Sequence, residues 1–461
     1  MLPSVPALRV IVWLALLATL STTACQVRLE RRNLVLITVD TLRKDSLGIY
    51  GGDLLTPGFD ALAAESFRFE DAYSTAPTTL PSHASLFTGT YPHRHGVRRN
   101  GRQRVPDELQ TLAETLYEAG YRTGAFVGTA VLDSFYGLDQ GFEVYGDNVD
   151  ASLGGAQAQR RAPGVVDEAL EWMLGVEEPF FLWVHVFDPH GPYEPPAPWD
   201  QAYYSGDPRS PAHGSLANLP LVYYQNLEGI TDIEYPRAQY RGEVSFTDQS
   251  VTRLLSAIQD QADRTLVVLT SDHGESLGED GSYFDHGGTL HDVCMRVPLL
   301  VRAPWLGGGE VVHGPVSLID IFPTVVELLG LPAEAAVEGR SLLPHLQGTP
   351  DPDRLVFFET FLSTGLRRRP LFGVRSHEWK VTRVGERTSL LHPESDPAET
   401  ENRSSVDTEE LVELLKALDE YEKQAPRFVE RIEPSTEQEE RLRALGYLRE
   451  DAGVPPRKSN H

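Results

Sequence analysis

Asn33-Leu-Val-Leu-Ile-Thr-Val39 is a compact, mostly apolar run of strand length that leads directly into Asp40. Working outward from it, Thr56-Pro-Gly-Phe-Asp-Ala-Leu-Ala-Ala-Glu65 opens with a helix-start pattern and runs into the short alternating strand Phe67-Arg-Phe69. Asp107 to Ala119 has helical periodicity and stops at Gly120, and Arg122 to Val127 reads as the next strand. Val165 to Leu174 is helical, and Pro179 to Phe187 is a buried strand. A long helix is expected from Ala238 to about Ala262, before the strand Thr265-Leu-Val-Val-Leu-Thr270. Val297 to Val301 is a further strand, and Leu318 to Leu329 a helix ended by Gly330. Strands alternating with helices predict an α/β fold, a large and mostly parallel sheet covered by helices on both faces.

After about residue 350 the pattern changes to short strands with close turns, at Leu355–Glu359, Leu371–Arg375 and Trp379–Arg383. Charged helices follow at about 406–424 and 435–445. The expected organisation is a catalytic α/β domain over 26–350, a smaller C-terminal antiparallel subdomain with helices over 351–449, and a disordered tail over 450–461. The 461 residues are 41% hydrophobic and 23% charged, which is globular composition. The net charge of −26 excludes nucleic acid as a partner and docking on anionic lipid by charge alone. Cys25 and Cys294 are the two cysteines, so there is no disulfide framework, and Cys294 is expected as a buried thiol.

Residues 1–25 carry one charge, Arg9, then the apolar run Val10–Leu20, then Ser21-Thr-Thr-Ala24 and Cys25. The run is short for a membrane span and has the layout of a signal peptide. Cys25 after Thr-Ala resembles a bacterial lipoprotein processing site, although Thr22 stands where such sites usually carry Leu. The chain is therefore expected to be exported to the cell envelope or secreted, touching a membrane only through a lipid on Cys25.

In an open α/β sheet, ligands sit beyond the carboxyl ends of the strands. Two strands end in suitable groups, Ile37-Thr-Val-Asp40 and Leu269-Thr-Ser-Asp272-His273. Asp40, Asp272 and His273 together suit one divalent cation, although either Asp alone reads as a cap or turn residue. Eight of the fourteen histidines fall in three short stretches: His83, His93 and His95; His185 and His190; His273, His286 and His291. Such clustering is explained by one convergent site. Between Ala76 and Gly96, Pro81 suits the first turn of a helix, which places Thr79 just before the helix N-terminus. There, unpaired N–H groups stabilise an alkoxide, yet a capping role for Thr79 is the more ordinary reading.

Over roughly residues 33–450 the sequence resembles the sulfatase family of the alkaline phosphatase superfamily. Asn33–Asp40 is similar to its first metal-binding strand, and Thr79-Leu-Pro-Ser-His-Ala-Ser-Leu-Phe-Thr-Gly89 fits the frame of its signature, Cys/Ser-x-Pro-Ser-Arg followed by Thr-Gly. Trp183–Pro192 resembles the segment whose histidine contacts the substrate anion, and Thr270–Glu275 the second metal-binding strand. Asp285-His-Gly-Gly-Thr-Leu290 up to Pro298 resembles the segment carrying an active-site Lys or His. Leu391–Glu399 and Arg443–Leu448 also look like family features. The resemblance implies that Asp40, Asp272 and His273 hold the metal, with Thr79 in line with the substrate. It implies that His190 and His286 contact the transferring oxyanion or protonate the leaving group. His185 is expected in the core or behind the site, while His93 and His95 pack the loop after the helix.

Four positions depart from the sulfatase pattern. Thr79 stands where sulfatases have a Cys or Ser oxidised to formylglycine; a secondary alcohol can yield a ketone but not that aldehyde. His83 replaces the Arg that orients formylglycine, Thr129–Leu132 lacks the Lys and His that many sulfatases place there, and Thr41 replaces a second Asp. No formylglycine is therefore expected, and the single metal can be calcium, manganese or zinc. A second metal at Asp188, His190 and His286 is a minor alternative. A Thr sulfate has no route of release, whereas a Thr phosphate can be attacked by water at phosphorus. The expected activity is hydrolysis of a phosphate or phosphonate ester, of a small molecule or of a glycan- or lipid-linked group. The alternatives are a sulfuric ester hydrolase without formylglycine, a silent anion-binding surface protein, and a transferase. Variable loops, here Leu132–Pro163 and Ser205–Ile233, set pocket specificity in this family, and Arg367-Arg-Arg369 reads as a solvated basic turn.

Overall fold

The computed structural model describes residues 31–149, 159–216, 218–332, 337–362, 369–405, 409–424, 427–428 and 430–445. The expectations for the leader 1–25 with Cys25 and for the tail 450–461 lie outside the described residues, as do residues 363–368. The described residues from Arg32 onward belong to one compact unit.

Its centre is β1 (Asn33–Val39), which is buried at every position. With both faces covered, such a strand needs no polar alternation, and its apolar run is explained. In chain order there follow β2 (Phe67–Tyr73), β3 (Arg122–Val127), β4 (Val144–Gly146), β5 (Phe180–Val186) and β6 (Thr265–Ser271). After a two-stranded ribbon of β7 (Ser276–Leu277) and β8 (Tyr283–Asp285) come β9 (Arg296–Arg302) and β10 (Val311–Ser317). The main sheet has eight strands in the order β10-β2-β9-β6-β1-β5-β3-β4. Only β9 is antiparallel to its neighbours, so the sheet is the mostly parallel one expected. One core layer packs Phe87, Trp183 and Leu299 on one face, and a second packs Val35, Phe180 and Val251 on the other.

The helices fall close to expectation, with three differences. The helix expected from Asp107 starts at Leu112, because Thr111 and Glu114 form a reciprocal capping box. The long helix runs Glu234–Ala257 and then tightens to a 3₁₀ stretch, Gln259–Arg264. The helix after Ala76 begins at Thr79 itself, with Thr78 at the cap position, so Thr79 lies in the first turn rather than before it.

The C-terminal sheet is antiparallel, in the order β11 (Val356–Thr360), β12 (Leu371–Arg375), β13 (Lys380–Val384) and β14 (Arg387–Leu391). The helix Glu409–Glu422 covers it through Leu411, Leu414 and Leu418. A buried ionic cluster ties this sheet to the rest. Lys380 Nζ lies 2.6 Å from Asp292 Oδ1 and 2.7 Å from Glu399 Oε1. Tyr73 donates to Asp292 Oδ2 at 3.2 Å and accepts from Arg375 Nε at 3.1 Å.

Candidate active site

Because β1 and β6 are adjacent and parallel, with Val39 opposite Ser271, Asp40 and Asp272 leave the sheet side by side. Both are buried, as are Thr79 and His273. Asp272 Oδ1 accepts the N–H groups of His273 at 2.9 Å and Thr41 at 3.3 Å, which fixes the carboxylate plane. Thr41 holds this pose at a φ of 52°, and its carbonyl is pinned by the Tyr240 hydroxyl at 2.9 Å. A left-handed β-branched residue costs conformational energy, which the surrounding hydrogen bonds maintain. Among the described residues, Asp272 Oδ2 and Asp40 Oδ1 have no hydrogen-bond partner.

His273 donates Nδ1–H to the Gly274 carbonyl at 2.9 Å, which turns the Nε2 lone pair inward. That nitrogen lies 3.5 Å from Asp272 Oδ2 and 3.9 Å from Asp40 Oδ1. Donor atoms bonded at about 2.0–2.4 Å to one cation stand about 3–4 Å from one another. Asp40, Asp272 and His273 therefore fit a divalent cation, and the two unpaired buried carboxylate oxygens are what such an ion satisfies. Asp40 is pushed up to about 7, first by burial and against the pull of His273. Asp272 is also raised, by burial and then by Asp40. Burial works against a charged His273, but Asp272 and Asp40 raise it.

Thr79 Oγ1 stands 3.4 Å from Asp40 Oδ2 and 3.4 Å from His273 Nε2. Its helix starts where the Asn100 side chain accepts the Leu80 N–H at 2.9 Å. The neighbouring hydroxyls are committed elsewhere: Ser82 donates to the Asp272 carbonyl at 2.7 Å, and Ser85 accepts from Thr75 at 2.7 Å.

His83 lies one turn after Thr79 and forms a relay behind it. Its Nδ1–H donates to the Thr79 carbonyl at 2.8 Å, so Nε2 accepts from the Thr38 hydroxyl at 3.1 Å. Thr38 in turn accepts from Trp183 Nε1 at 3.0 Å. Burial lowers His83 to about 3, so the ring is neutral and positions the backbone of Thr79. His185 stands behind Asp40, with Nε2 at 3.4 Å from Asp40 Oδ2, and burial lowers it to about 4.

His286 and His190 extend the centre outward. The His273 and His286 rings lie 4.5 Å apart, and those of His286 and His190 5.0 Å apart. His190 donates Nδ1–H to the Gly191 carbonyl at 2.7 Å and stacks on Phe187 at 4.3 Å. Burial lowers both rings well below the ordinary histidine value; His286 adds to the effect at His190 and His273 at His286. Asp188 faces away, taking the Ala162 N–H at 2.7 Å and Arg161 Nε at 2.9 Å, and does not join the group of Asp40, Asp272 and His273.

Five of the eight clustered histidines thus converge: His83, His185, His190, His273 and His286. His95 binds Ser85, His93 binds Glu338, and His291 caps a short helix, so these three serve packing. Sequence reasoning assigned no role to Glu275 or Asn100. Glu275 Oε2 lies 3.4 Å from His286 Nδ1, and burial pushes the acid up to about 8. Its position two residues after His273 was the available signal. Asn100 gives none, because only the fold brings it to Leu80.

A buried pair of strand-end carboxylates, an inward histidine and a hydroxyl at a helix start are groups suited to cleaving an ester with the help of a divalent cation. The family model described as Sulfatase matches residues 32–331, and one described as N-sulphoglucosamine sulphohydrolase, C-terminal, matches 278–424. The chain belongs to the sulfatase family. It is 27% identical over 357 residues to an uncharacterized sulfatase, YidJ, of Escherichia coli K12, covering 68% of this chain and 71% of that one. It is 28% identical over 394 residues to N-acetylgalactosamine-6-sulfatase of Canis lupus familiaris, covering 77% and 74%. Among solved structures, the phosphonate monoester hydrolase of Agrobacterium radiobacter superposes with a TM-score of 0.70 at 22% identity, covering 86% of this chain and 95% of that one. That likeness is one of fold.

Proposed function

We propose that the chain is an exported, metal-dependent ester hydrolase that cleaves phosphate or phosphonate esters through a covalent adduct on Thr79. The observation that carries the reading is a secondary hydroxyl 3.4 Å from both Asp40 Oδ2 and His273 Nε2. A cation held by Asp40, Asp272 and His273 supplies Lewis acidity and lowers the hydroxyl's pKa. Thr79 Oγ attacks phosphorus and passes its proton to Asp40 Oδ2. The P–O bond to the leaving group breaks, and that oxygen takes a proton from His190 or His286. The negative charge of a bound phosphoryl group opposes the burial that keeps these rings neutral and favours the protonated form of one of them. Water then gives a proton to that same histidine and attacks phosphorus, and the P–Oγ bond breaks as Asp40 returns its proton to Thr79 Oγ. A sulfo adduct on the same oxygen lacks this exit, because the aldehyde hydrate that expels sulfate cannot form from Thr.

The family membership favours a second reading, a sulfuric ester hydrolase in which water attacks directly. Ser82 and Ser85 do not substitute for Thr79, since each hydroxyl is held in other bonds. With manganese, zinc or calcium added, residues 26–461 are expected to cleave an aryl phosphonate or phosphodiester faster than the matching aryl sulfate. The reverse order replaces the first reading with the second. Export and a lipid on Cys25 belong to the same proposal; they rest on the composition of residues 1–25, and labelled fatty acid should incorporate unless Cys25→Ala is made.

A further inference from the structure

The chain is strongly acidic overall, yet Arg94 to Arg104 holds five arginines and no acid. Three of them, Arg98, Arg99 and Arg102, line a surface cavity of about 620 Å³ together with Arg431, Phe361 and Glu433. Its floor is built rather than accidental. Gln103 bridges Arg431 in antiparallel pairing, and the Ile432 N–H donates to the Arg102 carbonyl at 3.3 Å. Arg98 Nε answers the buried Glu359 at 2.8 Å and its guanidinium lies 4.5 Å over the Phe361 ring. Arg102 reaches Glu439 only at 3.8 Å. Arg99 and Arg431 are exposed and have no ion-pair partner among the described residues.

Two lining segments of this cavity are continuous in the chain with residues packed against the reaction centre. The segment from Arg98 continues to Asn100, which caps the start of the Thr79 helix. Phe361 lies between Thr360, whose hydroxyl donates to the Gly287 carbonyl at 2.6 Å, and Leu362. A Cβ placed on Gly287 would meet the Leu362 side chain at 2.5 Å, so that segment leans on the residue after His286. Guanidinium groups bind phosphate, sulfate and carboxylate oxygens through paired N–H donors.

We propose that this cavity is an anion subsite that holds a second charged group of the molecule whose ester is cleaved at Thr79. The inference rests on the reading of Thr79 as the reaction centre, and it names the substrate class as esters bearing at least two anionic groups. Arg99 and Arg431 supply the charge, while Arg98 is spent on Glu359 and on the Phe361 ring.

The test is calorimetric titration of the full, metal-loaded chain, which needs no turnover. The probes are two pairs: fructose 6-phosphate against fructose 1,6-bisphosphate, and a monosulfated against a disulfated disaccharide. The doubly charged member of at least one pair is expected to bind about five- to tenfold tighter, the size of two half-solvated ion pairs. The Arg99→Gln/Arg431→Gln variant should lose that gain, bind the singly charged members as before, and melt at the parental temperature. Equal affinity for both members of both pairs in the parent overturns the subsite. So does a variant that weakens single and double charges alike. Which pair shows the gain reports the acid group. Failure of the phosphorus reading appears elsewhere, as an aryl sulfate outrunning a phosphonate, and leaves the charge-number effect intact.

Discussion

Two clusters of acids stand near the two ends of residues 272–295 and behave in opposite ways. In the tie to the C-terminal sheet, Asp292 meets Lys380 and Tyr73, with Arg375 behind the tyrosine. Burial there works to raise Asp292, but Lys380 and then Arg375 hold it far below the usual carboxylate range. In the strand-end cluster, Asp40 and Asp272 are more deeply buried than Asp292 and face each other across one histidine, and both are raised. In the first cluster both Asp292 oxygens are answered without a ligand. The second leaves two oxygens unanswered, and burial of that kind persists in a folded protein where an ion or substrate answers it.

The largest effect that can break this comparison is on turnover. Thr79→Ala should reduce kcat by about a thousandfold or more while metal affinity changes little, as read by steady-state kinetics and metal titration. Surviving turnover removes Thr79 from the centre. Next come two substitutions of opposite sign. Lys380→Met strands Asp292 and Glu399, and should cost about 3–5 kcal/mol in urea unfolding. Asp40→Asn removes an unanswered carboxylate, so the metal-free chain should unfold no earlier, while metal affinity falls about a hundredfold or more. If both substitutions destabilise the metal-free chain equally, the distinction between the clusters is wrong.

The smallest effect concerns pH. Asp40 at about 7 and Glu275 at about 8 hold protons in the folded, metal-free chain that the unfolded chain has already released. Below about 6.5 the buried, neutral His83, His185, His190 and His286 act in the opposite sense, because the unfolded chain protonates them; above it the native state binds more protons, so its stability should fall as pH rises from about 6.5 to 8. Added metal must displace the Asp40 proton, so its affinity should rise over the same window and flatten the loss. Melting temperatures with and without metal across pH 5 to 9 measure both trends.

Much of this was legible because the decisive signals are local. A buried strand announces itself by continuous apolar residues, and Asp40, Asp272 and His273 follow such strands immediately. What was missed is non-local or short. β10 contains Gly314-Pro315 and is interrupted by a register shift between Val312 and Pro315; it survives as a strand because it lies at the sheet edge, where Pro is tolerated. β4 has three residues, too few for a periodic signal. The start of the helix at Leu112 depends on a Thr111–Glu114 exchange that competes with a wider apolar pattern. The contact of His185 with Asp40 and of Asn100 with Leu80 exists only once β5 lies beside β1 and the loop after Gly96 has folded back.

The reversed direction of β9 carries a further consequence. A parallel successor to β6 would have to start at the opposite edge of the sheet, so the connecting chain would cross a whole face. Running backward, β9 begins on the edge where β6 ends. The excursion from Asp272 to Met295 is therefore a loop with both feet on one rim, and it brings His273, Glu275 and His286 there together. A longer or shorter excursion would leave the strand order undisturbed, because neither foot has to cross the sheet.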